Sequence, residues 1–139
     1  EWCRFLAAER FYVGLSIDTH TWQPRLANLT GGLSGPAIKP LALYNVHRVY
    51  REVARSANLP IIGTGGIQNA ADAVEFLLAG ASAVAVGTAL FVEPTTPFKI
   101  VAGLAEYLTA HGLPHVSALT GQLQLRPPAN CTPTAQVPS

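Results

Sequence analysis

Two glycine endings hold the most readable chemistry in this chain. Ile61-Ile62-Gly63-Thr64-Gly65-Gly66 and Ala83-Val84-Ala85-Val86-Gly87-Thr88 each run from an apolar stretch into Gly and Thr. Glycine leaves backbone N–H groups bare and lets the chain close on an anion, and threonine adds a hydroxyl donor. That is phosphate-binding chemistry. A third stretch, Gly31-Gly32-Leu33-Ser34-Gly35-Pro36-Ala37-Ile38-Lys39-Pro40, spaces its glycines closely enough for backbone to approach a flat or anionic ligand. The bland alternatives are a tight turn and close helix–strand packing, neither with a ligand.

The other candidate groups carry less. Asp18 follows an aromatic and β-branched run and reads as a turn residue rather than a catalytic acid. His111 and His115 are four apart, but Gly112 and Pro114 between them break any helix that would aim both at a metal. His111 is better read as neutralising a helix C-terminus. His20 and His47 are isolated. Cys3 and Cys131 lie near opposite ends and make no disulfide framework, so a reducing compartment is expected. Arg48, Arg51 and Arg55 share helical spacing and form a solvated face.

The elements that must position the glycines follow from periodicity. The two apolar runs read as parallel strands covered on both faces. Asn69 to Ala79 between them reads as a helix capped by Asn69, with Asp72 in its first turn and Gly80 as its stop. Its inward face is Ala73, Phe76 and Leu77. Upstream, Phe11 to Asp18 is strand-like and Glu1 to Arg10 helix-like. After the long loop Thr19 to Pro40, a helix is expected over Leu41 to Ala57, with Leu43, Val46, Tyr50, Val53 and Ala57 as its buried stripe. A last helix starts near Pro97, behind Thr96 as cap, and buries Ile100, Val101, Leu104 and Leu108 before Gly112 closes it.

Three βα units cannot close a barrel, which needs eight. The expected fold class is therefore α/β, the C-terminal portion of a (β/α)₈ TIM barrel. It occupies residues 1–121, and the Pro-rich stretch 122–139 is expected to be a disordered tail. The outer strands would lack a neighbour, exposing Val13, Leu15, Ile17, Val84 and Val86 to water or a partner.

Composition excludes some classes. A net charge of +1 builds no field for nucleic acid, and no apolar run is long enough to span a membrane. With no signal peptide, the cytoplasm is the expected address. Only 12% of the residues are charged while 49% are hydrophobic, so the chain buries much of itself or keeps apolar faces for a partner.

Together, the loop from Leu29 to Pro40, the strand end from Pro60 to Ile67 and Ala79 to Ala89 resemble the dihydroorotate dehydrogenases, most closely the class 1B catalytic subunit. The likeness runs from about Val13 to Gly112. It implies FMN across a barrel mouth and oxidation of dihydroorotate to orotate in de novo pyrimidine (UMP) biosynthesis. By resemblance, Gly65 and Gly66 serve the flavin phosphate from one strand end, Gly87 and Thr88 serve it from the next, and Gly35 packs near the flavin. It also implies dihydroorotate or orotate as substrate and an iron–sulfur electron-transfer subunit as partner, while the unpaired outer strands point separately to a homo-oligomer.

The departures are equally specific. Where the family has an Asn-Thr pair that touches orotate, this chain has Arg10 and Phe11, and arginine does not replace asparagine conservatively at a hydrogen-bonding site. The cysteine base of the family falls on no matching position, so no catalytic residue is assigned and the 139 residues alone are not expected to turn over substrate. Two alternatives stay open: a non-flavin phosphate-binding barrel enzyme, which would lack the Gly31 to Pro40 loop, and a non-catalytic remnant that self-associates or docks with an N-terminal half.

Overall fold

The structure is a computed structural model that describes residues 6–8 and 12–124. Three short strands, β1 (Leu6–Ala8), β6 (Ile61–Thr64) and β7 (Ala83–Ala85), form a parallel sheet in the order β1-β6-β7. The register is Ala7 opposite Ile62 and Gly63 opposite Val84. Between β1 and β6 lie two antiparallel pairs. β2 (Val13–Leu15) joins β5 (Thr30–Gly32), and β3 (Ile17–Asp18) joins β4 (Gln23–Pro24). The helices are α1 (Lys39–Val49), α2 (Arg55–Ala57), α3 (Ala70–Ala79), α4 (Ala89–Val92) and α5 (Thr96–Ala110).

Two sequence expectations are corrected here. The stretch read as an N-terminal helix contains strand β1, which pairs with β6 along its length. The strand expected from Phe11 is not a third parallel strand: Val13–Leu15 turns away into a hairpin with the glycine-rich loop. Short apolar segments carry little periodicity, so pairing rather than pattern decided both. Phe11 itself, Arg10, both cysteines and the tail from Leu125 lie outside the described residues.

The helices cover one face of the sheet, not two. Along β6, Ile61 and Gly63 are buried while Ile62 and Thr64 are half-buried; along β7, Ala83 and Ala85 are exposed while Val84 packs against the core. Alternation appears because a strand points successive side chains to opposite faces. Val84 and Val86 therefore pack against the core from half-buried positions, contrary to expectation, whereas Val13, Leu15 and Ile17 do face outward.

Helix α3 follows its punctuation. Asn69 accepts from the Asp72 N–H and Asp72 accepts from the Asn69 N–H, a reciprocal capping box, and Gly80 ends the helix at φ 120°. Phe76, Ala73 and Leu77 are buried as expected. The helix from Lys39 to Ala57 contains a π turn over Tyr50–Ala54. The wider turn shifts the helix phase, so the buried stripe continues from Val46 through Tyr50 to Ala54, and Val53 and Ala57 are exposed. In α5, Ile100 is buried, Leu104 and Leu108 are half-buried, and Val101 points to solvent at 67% exposure. The end of the described chain docks on α3, with Gly121 N–H donating to Leu77 and Leu123 N–H to Leu78.

Candidate functional site

At the ends of β6 and β7 the chain leaves the sheet through the two glycine turns. The loop after β5 folds over them, reaching α1 through a 3₁₀ turn at Pro36–Ile38. A cavity of about 300 Å³ opens between these pieces. That is the small end of the range for ligand pockets. Gly35, Gly65, Gly66, Gly87 and Thr88 all line it. Five residues from three separated stretches, named together by the family resemblance, thus meet in one place.

Backbone geometry suits an anion. Gly65 and Gly66 have φ of 119° and 76°, a region L residues rarely enter. A Cβ on Gly66 would stand 2.8 Å from the Gly35 carbonyl oxygen and 2.9 Å from Lys39 Cβ. The glycine is thus what lets the loop lie flat on the strand end. A Cβ on Gly87 would meet nothing within 4 Å, because that position opens into the cavity. Among the described residues, no turn or loop hydrogen bond takes its donor from the N–H of Gly65, Gly66, Gly87 or Thr88. Bare donors at glycines on two adjacent strand ends fit a phosphate.

Lys39 is the one cation of the loop motif, and it faces elsewhere. Its Nζ donates to Asp72 Oδ1 at 2.6 Å and to Glu75 Oε1 at 3.1 Å. Asp72 Oδ2 accepts from the Gln68 N–H at 2.9 Å and the Asn69 N–H at 3.3 Å. The bond to Asp72 raises the Lys39 ammonium above its ordinary value. Burial pushes the Asp72 carboxyl up, but Lys39 and the two N–H donors outweigh it and hold it below the usual carboxylate value. The pair is a latch from loop to helix cap. Reading Asp72 only as a first-turn carboxylate missed this, because the partner lies 33 residues away.

Helix α1 supplies another wall. Ile38, Ala42 and Asn45 line the cavity at helical spacing, and Asn45 Nδ2 donates to the Tyr12 phenolic oxygen at 3.0 Å. Neither Tyr12 nor Asn45 is legible as a site residue in the sequence, since each is a lone polar group in an apolar pattern. The remaining candidates sit outside the cavity. Asp18 closes a turn by accepting from the His20 N–H at 2.8 Å. His111 Nδ1 lies 2.9 Å from the Tyr107 carbonyl oxygen, with its ring stacked on Tyr107. Arg48, Arg51 and Arg55 are exposed.

A family model described as dihydroorotate dehydrogenase matches residues 7–108, which carries the likeness upstream of Tyr12, through β1. Among curated relatives, the dihydroorotate dehydrogenase B (NAD(+)) catalytic subunit of Pelobacter propionicus is 51% identical over 111 residues, which is 80% of this chain and 35% of that protein. The subunit of the same name from Bacteroides fragilis is 46% identical over 113 residues, 81% of this chain and 36% of that one. This chain therefore spans about a third of the length of the curated relatives it matches. Among solved structures, the DHODH of Eimeria tenella, crystallised with ferulenol, superposes with a TM-score of 0.68 at 26% identity over 86% of this chain and 31% of that one. On this match of sequence and fold, the chain belongs to the dihydroorotate dehydrogenase family.

Proposed function

We propose that this chain carries the flavin-phosphate part of an FMN-dependent dihydroorotate dehydrogenase, the enzyme that oxidises dihydroorotate to orotate in pyrimidine biosynthesis. The observation that carries the reading is the meeting of Gly35, Gly65, Gly66, Gly87 and Thr88 in one cavity, with no turn or loop hydrogen bond among the described residues using the N–H groups of the last four. In this reading β1, β6 and β7 with their helices are the C-terminal portion of a (β/α)₈ barrel, and the open sheet face is part of its interior.

Bound FMN would supply the hydride acceptor for the oxidation. The residues here bind and orient it. The N–H groups of Gly65, Gly66, Gly87 and Thr88 would hold the phosphate, and the Thr88 hydroxyl would add a donor. The loop from Gly31 to Ile38, whose residues Leu33 to Pro36 and Ile38 line the cavity, would shield the cofactor from water. That loop is also what separates this reading from a non-flavin phosphate enzyme. The name of the relatives, a catalytic subunit working with NAD(+), supports an electron-transfer partner, which we take to be an iron–sulfur subunit. No helix among the described residues is long and apolar enough to cross a membrane, and the proposed location is the cytoplasm.

The test is flavin binding. Gly66→Asp would block the phosphate but would also disturb the contact with Gly35, so Gly87→Asp is the cleaner probe. It should fold normally and lose FMN affinity by about 100-fold or more, since two charge-assisted bonds are worth about 1.5–3 kcal/mol each. FMN fluorescence quenching identical to wild type in Gly87→Asp would remove the site assignment.

A further inference from the structure

Tyr12 and Asn45 lie outside every motif that pointed to the phosphate site, yet they form a polar pair in the same cavity wall. Both are half-buried. Asn45 donates to the phenol oxygen, so the phenol's own proton is left over, and among the described residues no acceptor takes it. The Tyr12 backbone is also fixed, because its carbonyl accepts from the Leu33 N–H at 2.6 Å. A tyrosine held at both ends, with a free O–H in a cavity, is a placed donor.

Its position says which part of a ligand it would meet. A Cβ on Gly65 would touch Ala42 and Ile38, so the phosphate end of the cavity lies against the first turn of α1. Asn45 is three residues beyond Ala42 and seven beyond Ile38, about 4.5–10 Å along the axis at 1.5 Å per residue. That sets the Tyr12–Asn45 pair to one side of the glycine turn, within the span of the rest of a nucleotide-like molecule.

We infer that Tyr12 is a ligand-binding residue that donates its phenolic hydrogen to an oxygen or nitrogen acceptor on the non-phosphate portion of the bound flavin, and that Asn45 is the positioning residue that keeps this hydrogen available. The inference rests on the FMN reading above. It adds a specificity element that the glycine turns cannot supply, since they recognise only the phosphate.

The test compares FMN with riboflavin, which lacks the phosphate, by fluorescence quenching with the 139-residue chain. Tyr12→Phe should weaken both ligands by the same factor, about 3- to 10-fold for one hydrogen bond. Asn45→Asp is the sharper variant. Its carboxylate accepts only, so it captures the phenol proton and should weaken riboflavin as much as Tyr12→Phe does, although the pair still hydrogen-bonds. Riboflavin is neutral, so this loss is not charge repulsion of the phosphate. Asn45→Gln, which retains a donor amide, should recover part of the affinity. Gly87→Asp should weaken FMN and spare riboflavin. If Tyr12→Phe and Asn45→Asp bind riboflavin like wild type while Gly87→Asp loses FMN, the role given to Tyr12 is wrong and the phosphate site stands. If wild type quenches neither flavin, the FMN reading falls and takes this inference with it.

Discussion

At the scale of single residues, the two kinds of glycine in the cavity do different work. Gly66 sits at φ 76° with the Gly35 carbonyl where its Cβ would be, so it serves the fold as well as the site. Gly87 has open space at that point. Their alanine variants should therefore separate. Gly66→Ala combines left-handed strain with a backbone clash and should cost about 2–4 kcal/mol in urea unfolding. Gly87→Ala should be within about 0.5 kcal/mol of wild type in the same measurement and yet bind FMN more weakly, because its methyl group occupies ligand space. Equal melting behaviour for the two variants would contradict this division.

At the scale of elements, the Lys39–Asp72 latch couples the loop to the start of α3. Its pH dependence has a definite sign. Asp72 is held below its ordinary value, so its contribution is present above the unfolded carboxylate value, about 3.9, and is lost as pH falls through the lower folded value. Lys39 is raised, so its contribution is present below about 10.4 and lost as pH rises through the higher folded value. Thermal melts should be steadiest between these limits. Asp72→Ala removes the carboxylate half of the capping box and the pair and should cost about 1–3 kcal/mol near neutral pH, with the acid-side loss below about pH 4 much reduced. A variant whose melt falls as steeply with acid as wild type would remove Asp72 as the cause. The same change should loosen the loop from Gly31 to Ile38, measurable as faster hydrogen exchange there, because Lys39, which follows it at the start of α1, ties that junction to α3.

At the scale of the whole molecule, the surface is unusually apolar in two places. Val13, Leu15 and Ile17 are 53–69% exposed on the hairpin side, and Phe91 and Phe98 are 93% and 77% exposed on α4 and α5. The sheet face bearing Ala83 and Ala85 is open as well. Large apolar side chains this exposed mark an interface or an aggregation risk, and burying one of them is worth about 1.5–3 kcal/mol. We expect the 139-residue chain to self-associate at micromolar concentration in sedimentation velocity. Phe91→Asp with Phe98→Asp should shift it towards monomer without lowering the melting temperature, since neither ring is in the core. A monodisperse wild-type monomer with a sharp cooperative melt would mean these faces need no cover.

Local chemistry was enough to read α3 with its cap and stop, the turn at Asp18 and the glycine endings of two strands, while the roles of Gly35, Gly65, Gly66, Gly87 and Thr88 came from the family resemblance. In each, the side chain or its absence acts on neighbours a few residues away: Asn69 on its own helix turn, glycine on its own φ. What lay between distant segments was not readable. The strand from Leu6 reads as helix in the sequence because three apolar residues carry no period, and only pairing with Ile61 to Gly63 makes them a strand. The stripe from Val46 to Ala54 needed the π turn, which changes the phase of the helix without leaving a mark in the composition. Lys39 with Asp72, and Tyr12 with Asn45, are pairs 33 residues apart whose meaning lies in a distance of about 3 Å. Tertiary structure decided these because a hydrogen bond is set by position in space, and the sequence holds only positions along a line.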